Sequence, residues 1–338
     1  MILVFGGDAK ESDIQNAIKR IESLGFTPHL SRGVLKTIVG ITGDDRTIPE
    51  EEFDQLPGVE KIIHVLKPYK LASREFHPED TIVELNGRKI GNGYFTVIAG
   101  PCSVESEEQV ETIATFLESR GIKFLRGGAF KPRTSPYSFQ GLGERGLKIL
   151  REAADRHGLA VVTEVLSAHE VELVGKYTDI FQVGARNMQN FALLRSLGKV
   201  KKPVLLKRSM MGTIEELLLS AEYIMKEGNP RIILCERGIR TFETATRNTL
   251  DIGSIPVVKR FSHLPIIVDP SHSMGDWHYV KSASLAGLAA GADGLIIEIH
   301  PNPLNAKSDG KQTLTLEHFE ELMKDIEKIA KVLQKSVQ

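Results

Sequence analysis

The stretch Tyr94-Phe-Thr-Val-Ile-Ala-Gly-Pro-Cys102 decides the fold. Its β-branched and aromatic residues make a continuous apolar run, as in a buried strand. Gly100-Pro101 breaks the run sharply. A thiol is thereby delivered to the carboxyl end of a strand. From there to residue 338 one format repeats: short apolar strand, polar residue at its tip, loop, amphipathic helix. Strands are predicted near Phe95–Ala99, Lys123–Arg126, Ala160–Glu164, Ile180–Val183, Val204–Lys207, Ile232–Glu236, Ile266–Asp269 and Gly294–Ile299. Helices fit between and after them at Glu105–Arg120, Leu142–His157, Ala168–Tyr177, Gln189–Leu197, Thr213–Lys226, Thr244–Ile252, Tyr279–Ala290 and Leu316–Leu333. Eight such units over residues 94–338 predict a (β/α)8 barrel. An open doubly wound sheet fits less well, because no strand carries a Gly-rich dinucleotide fingerprint.

Residues 1–66 read βαββαβ, the ferredoxin-like pattern. Ile2–Phe5 is a strand. Glu11–Leu24 is a helix, with Ile14, Ala17, Ile18, Ile21 and Leu24 at helical spacing and Gly25 at its end. Thr27–Ser31 and Lys36–Thr42 flank a turn at Arg32-Gly33, a short helix follows near Pro49–Leu56, and Val59–Leu66 closes the unit. Residues 67–93 read as a linker and a hairpin, with Asn86-Gly87 as a type I′ turn signal. Such a hairpin is placed to plug the bottom of the barrel.

Bulk properties exclude several classes. Lys+Arg (43) and Asp+Glu (44) nearly cancel, so no net field argues for nucleic acid or a polyanionic surface. No apolar run reaches the roughly 18 residues of a membrane span. Two cysteines make no disulfide framework, and the start lacks the pattern of a signal peptide. A cytoplasmic protein is expected.

The strand tips carry the chemistry. They supply Cys102, Arg126, Lys131 and Arg133, Glu164, Arg186, Lys207-Arg208, Glu236-Arg237, Asp269, His272, Glu298, His300 and Asp309. A solvated role is the better expectation for any one of these cations. Recurrence at one phase around a barrel points instead to a mouth that binds phosphate and carboxylate. Cys102, His272, Glu298 and Asp309 add a mixed S/N/O/O donor set, suited to a divalent ion such as Mn, Fe, Co or Zn. Their spacing matches no compact metal motif. Cys235 lies inside an apolar strand and reads as core. In the loop 126–141, Pro132 and Pro136 bracket Arg133-Thr134-Ser135, which reads as a pre-shaped anion clamp.

Several segments together resemble the 3-deoxy-D-arabino-heptulosonate 7-phosphate (DAHP) synthase family. They are Ala99-Gly-Pro-Cys-Ser103, Arg126-Gly-Gly-Ala, Lys131-Pro-Arg-Thr-Ser-Pro, Gly184-Ala-Arg-Asn187, Leu206-Lys-Arg, Cys235-Glu-Arg-Gly238, Val268-Asp-Pro-Ser-His-Ser273 and Ser308-Asp-Gly310. Residues 1–66 resemble the regulatory domain of one subgroup. The resemblance implies a metal-dependent condensation of phosphoenolpyruvate with erythrose 4-phosphate, at the entry to aromatic amino acid biosynthesis. It implies Cys102, His272, Glu298 and Asp309 as metal ligands. Arg126, Arg186, Lys207 and Arg237 are implied for phosphoenolpyruvate. Lys131, Arg133, Thr134, Asp269 and Ser135 are implied for the aldose phosphate, with Lys131, Cys102 and His272 at the chemistry. An aromatic amino acid effector and a homotetramer are also implied. On Thr27–Ser31, His29 and Ser31 project from one strand face and are candidates for the effector. A sister synthase making 3-deoxy-D-manno-octulosonate 8-phosphate shares the barrel, but typically carries Lys-Ala-Asn-Arg-Ser where this chain has Lys131-Pro-Arg-Thr. A non-catalytic amino-acid sensor is a third reading, opposed by the intact set of tip residues.

Overall fold

Strand formation at the amino terminus follows from strictly apolar residues at Ile2–Phe5 (β1), which lie buried at the centre of a small sheet. The computed structural model describes residues 1–33, 36–42, 48, 52–63, 68–131 and 137–338. Helix α1 (Glu11–Ser23) buries Ile14, Ala17 and Ile21, carries Glu11 and Asp13 in its first turn, and is followed by Gly25 at φ +82°. Strands β2 (Thr27–Arg32), β3 (Thr37–Thr42) and β4 (Val59–Ile63) complete an antiparallel sheet in the order β2-β3-β1-β4. The helix predicted near Pro49–Leu56 begins on residues 49–51, outside the described set, and residues 53–55 form turn. The first compact unit takes in residues 1–79 and 261–263, so the boundary expected at residue 66 falls inside it. The physical reason lies in residues read as linker. Phe76 is buried with Ile2, Val4 and Ile38, in the space that Gly40 leaves by having no side chain.

The second unit comprises residues 80–260 and 264–338. Its opening hairpin, β5 (Val83–Leu85) and β6 (Arg88–Ile90), turns through Asn86 at φ +50° and Gly87 at φ +79°, as a type I′ turn requires. Eight parallel strands follow: β7 (Tyr94–Gly100), β8 (Phe124–Arg126), β9 (Ala160–Glu164), β10 (Ile180–Val183), β11 (Val204–Lys207), β12 (Ile232–Glu236), β13 (Ile266–Val268) and β14 (Gly294–Glu298). Each pairs with the next, and β14 pairs back onto β7, closing the ring. Inside it Ile98, Phe124, Val162, Ile180, Leu205, Ile233, Cys235, Ile267 and Ile296 form one cluster, joined from the hairpin by Val83 and Ile90. The hairpin is the predicted plug, and Cys235 is core.

The surrounding helices are α2 (Glu107–Ser119), α3 (Glu144–Arg156), α4 (Val171–Gly175), α5 (Phe191–Gly198), α6 (Ile214–Lys226), α7 (Ser254–Phe261), α8 (Pro270–Met274), α9 (Trp277–Ala289) and α10 (Leu316–Val332). The predicted helix at Thr244–Ile252 does not form. That segment carries three threonines and lacks an apolar stripe; it runs through bends, with Thr249 bridged antiparallel to Ile239. The real helix starts at Ser254, carries Pro256 in its first turn, and buries Ile255 and Val258. Among the described α-helices and strands, two were not foreseen. One is α8; the other is β15 (Ser336–Val337), which adds to β7. None of the helices described is long and apolar enough to cross a membrane.

Candidate active site

The end of β7 is built for close approach. Gly100 has φ +155°, and a Cβ there would lie 2.0 Å from the Arg126 carbonyl oxygen on β8. Gly128 opens the next space, where a Cβ would meet Lys131 Nζ at 2.4 Å. Lys131 uses that space to donate to the Cys102 carbonyl, and its Nζ lies 3.4 Å from Cys102 Sγ.

Ring closure brings Cys102 to the other donors. Gly100 is paired with Glu298 across β7 and β14, although nearly two hundred residues separate them. One atom each from Cys102, His272, Glu298 and Asp309 lies within 4.8 Å of all the others. His272 Nε2 faces the group, 3.3 Å from Glu298 Oε1 and 4.0 Å from Asp309 Oδ2. Cys102 Sγ is 3.3 Å from Asp309 Oδ2. Behind the ring, His272 Nδ1 is buried 2.8 Å from Asp269 Oδ2, close enough for charge attraction. Asp269 is the N-cap of α8, accepts the His272 backbone N–H at 2.9 Å, and pairs with Lys207 at 2.5 Å.

These residues fit a divalent cation. A carboxylate behind the distal nitrogen orients a ligating imidazole. Burial, then the Glu298 charge, pushes the Cys102 thiol up to about 12, so another positive charge is needed to make it a thiolate. Burial alone would raise Glu298; His272, Arg126 and Lys131 outweigh it and hold the carboxyl at about 2. Glu298 is therefore ready as an anionic donor.

Three of the donors, Cys102, His272 and Asp309, line a cavity of about 460 Å³ at the carboxyl ends of the strands. Among the described residues its lining carries seven cations (Arg126, Lys131, Arg186, Lys207, Arg237, Arg240 and Arg247) against two carboxylates, Glu164 and Asp309. Such an excess suits ligands with more than one negative charge. Three of the cations already face carboxylates: Arg126 with Glu298 at 2.7 Å, Lys207 with Asp269, and Arg247 with Asp309 at 3.3 Å. Among the described residues Arg237 donates to the Gly238 and His272 carbonyls, and burial lowers its pKa. Arg186 pairs with no carboxylate among the described residues. Arg208, also read as a mouth residue, turns away to Glu236 at 2.9 Å and Asp251 at 2.8 Å. Glu164 occupies the space beside Gly184, where a Cβ would lie 1.9 Å from its Oε1.

Of the other residues named from sequence, Arg133, Thr134 and Ser135 lie outside the described residues. Asp269 does not line the cavity; it stands behind His272 and Lys207, both of which do. The sequence reading missed Arg240, Arg247 and Asn248. The last two fell in the helix that does not form, and only the loss of that helix frees them to reach the mouth. In the first unit, His29 pairs with Gly40 and Ser31 with Ile38 on the edge strand β2. The His29 ring packs on Phe76 with centroids 4.9 Å apart, and burial, then His77, lowers its pKa.

Comparison with known proteins agrees with this geometry. The family model for the DAHP synthetase I family matches residues 79–335, and that for the DAHP synthase ferredoxin-like domain matches residues 1–67. A phospho-2-dehydro-3-deoxyheptonate aldolase of Thermotoga maritima is 57% identical over 333 residues, covering 98% of both chains. A 2-dehydro-3-deoxyphosphooctonate aldolase of Fusobacterium nucleatum is 32% identical, over 74% of this chain and 99% of its own. The crystal structure of the Thermotoga maritima DAHP synthase superposes with a TM-score of 0.80, at 56% identity, over 100% of this chain and 99% of that one. A truncated form of the Thermotoga maritima enzyme superposes at 0.75, at 56% identity, over 79% of this chain and 98% of its own.

Proposed function

The chain belongs to the DAHP synthetase I family, and from that membership we propose how its cavity works. It condenses phosphoenolpyruvate with erythrose 4-phosphate to give DAHP and inorganic phosphate. The observation that carries this reading is the seven-cation cavity whose wall holds Cys102, His272 and Asp309, with Glu298 gathered to the same point. Cys102, His272, Glu298 and Asp309 hold the divalent cation, and Mn, Fe, Co and Zn all suit their chemistry. That cation supplies Lewis-acid polarisation of an aldehyde oxygen.

The chain's own side chains do the rest. Arg186 and Arg237, with Arg126 and Lys207, hold the phosphate and carboxylate of phosphoenolpyruvate. Lys131, Arg133, Thr134 and Ser135 hold the aldose phosphate end. The enol carbon attacks the aldehyde carbon, and Lys131 gives a proton to the developing alkoxide. Water adds at the carbon bearing the phosphate ester, and the C–O bond to phosphate breaks. Positioning two anionic substrates in one cavity is worth roughly 7–11 kcal/mol of barrier in well-oriented systems. Asp269 acts from behind, by holding His272 and Lys207.

The ferredoxin-like domain is the place for an effector, an aromatic amino acid, bound where His29 and Ser31 share a strand face in a homotetramer. The Fusobacterium nucleatum octulosonate aldolase is matched over 99% of its own length by 74% of this chain, so that relative does without about a quarter of it. The test of function is phosphate release after chelation and metal add-back, run with erythrose 4-phosphate and with arabinose 5-phosphate. Release with only the four-carbon sugar, restored by metal, is expected. Faster release with arabinose 5-phosphate would make this the sister synthase.

A further inference from the structure

Resting on the metal-centre reading above, we propose that Arg247 and Asn248 form a brace that positions three of the four donors: Asp309, Glu298 and His272. Arg247 Nη1 donates to Asp309 Oδ1 at 3.3 Å and to Gln312 Oε1 at 2.8 Å. Gln312 Nε2 donates onward to Glu298 Oε2 at 2.7 Å. Asn248 Nδ2 donates to the His272 carbonyl at 3.0 Å. The backbone N–H groups of Arg247 and Asn248 donate to the carbonyls of Met274 and Ser273 at 3.0 and 2.8 Å. Those carbonyls end the short helix α8, where no intrahelical donor remains for them. Two adjacent residues thus tie down the helix bearing His272 and, through one arginine, both carboxylate donors.

The surroundings are cut to fit the brace. Gly275 ends α8 at φ +72°, and a Cβ there would lie 2.4 Å from Arg247 Cβ. Gly238 has φ +89°, and a Cβ there would lie 2.7 Å from Asn248 Cβ. Asp309 has φ +51°, a strained conformation for a residue with a side chain, which persists only where its surroundings fix it. Arg247 and Cys102 hold its two carboxylate oxygens, one each. Arg126 faces Glu298, and Arg247 faces Asp309, so each anionic donor has its own guanidinium. Mutual repulsion of the two carboxylates is thereby offset before any cation arrives.

Arg247 also lines the substrate cavity, so the test must separate positioning from substrate contact. Cobalt(II) is titrated into the full-length protein without substrates. Binding is followed by the thiolate-to-cobalt absorption and the visible ligand-field bands. Arg247→Met is expected to weaken cobalt binding by about 10–100-fold and to shift the bands, with Arg247→Lys recovering part of the loss. Gln312→Met, which cuts only the Glu298 arm, is expected to lose less in the same direction. If Arg247→Met and Gln312→Met bind cobalt as the parent does, with unchanged bands, the brace is refuted, whatever happens to KM. A parent protein with no thiolate band removes the metal centre and the brace together. Should Arg247→Met fail to fold by near-UV circular dichroism, Arg247→Lys and Gln312→Met carry the same decision.

Discussion

Single residues at the cavity act through distance and charge, and their substitutions divide by what they touch. Cys102→Ala removes one donor of four; metal retention and turnover should be lost with the melting temperature nearly unchanged, and retained metal after dialysis would refute the assignment. Arg237→Ala should raise KM for phosphoenolpyruvate more than for the aldose. A lost charge-assisted contact costs about 1.5–3 kcal/mol, or roughly 10- to 150-fold. Steady-state kinetics with each substrate varied in turn decides this, and an equal rise for both would mean that the two subsites are crossed. Gly128→Ala tests Lys131 without touching its charge. The new methyl would lie 2.4 Å from Lys131 Nζ and 3.0 Å from the Cys102 carbonyl oxygen, so the flexible lysine must move and the Cys102 backbone give slightly; the fold should survive while kcat, read from steady-state kinetics, falls. At this scale the sequence was legible wherever a functional residue ended a strand, because the strand's period and its tip are both local. It misled at Arg208, where nothing local tells an arginine aimed at a cavity from one aimed at Glu236 and Asp251.

At the scale of elements, the hairpin and the helix ends carry separable energies. Ile90 is fully buried at the base of the barrel core, so Ile90→Ala should cost about 2–5 kcal/mol, read from a denaturant midpoint, with the mouth untouched. His157, just past α3, reaches two carboxylates of α2: Glu118 at 2.7 Å and Glu111 at 2.9 Å. Glu118 foremost, then Glu111, raises its pKa. A raised histidine stabilises the fold below its unfolded value of about 6.5, and that stabilisation fades as pH rises through the folded value. His157→Ala should therefore destabilise the fold at about pH 5.5, by no more than about 1 kcal/mol given how open the carboxylates are, and hardly at all at about pH 9, as read from melting temperatures. Equal destabilisation at both pH values would assign the effect to packing. The helix α8 had a readable signature in Asp269-Pro270 at its start and Gly275 past its end, but five residues are too few to show an apolar period. The false helix at Thr244–Ile252 failed for the opposite reason: length was there, and the stripe was not.

The whole molecule divides into two compact units. The described part of the first unit contributes no residue to the cavity. Deleting residues 1–66 should leave an active barrel that no longer responds to tyrosine or phenylalanine, as assayed by phosphate release. The solved truncated relative, matching 79% of this chain, makes that experiment practical. A truncated enzyme still inhibited by either amino acid would move the effector site into the barrel. The sequence by itself determined the eight-strand barrel, the small βαββαβ unit before it, the plugging hairpin and the residue types at the strand tips. Each of these follows from periodicities and turn residues only a few positions apart. Tertiary structure alone decided which tips meet. Cys102 and Asp309 are 207 residues apart and come within 3.3 Å because β14 closes on β7 with Gly100 opposite Glu298. It also decided that Arg247 and Asn248 belong at the mouth, because their place follows from the carbonyls and carboxylates of α8, Asp309 and Gln312, which no local pattern around residue 247 encodes.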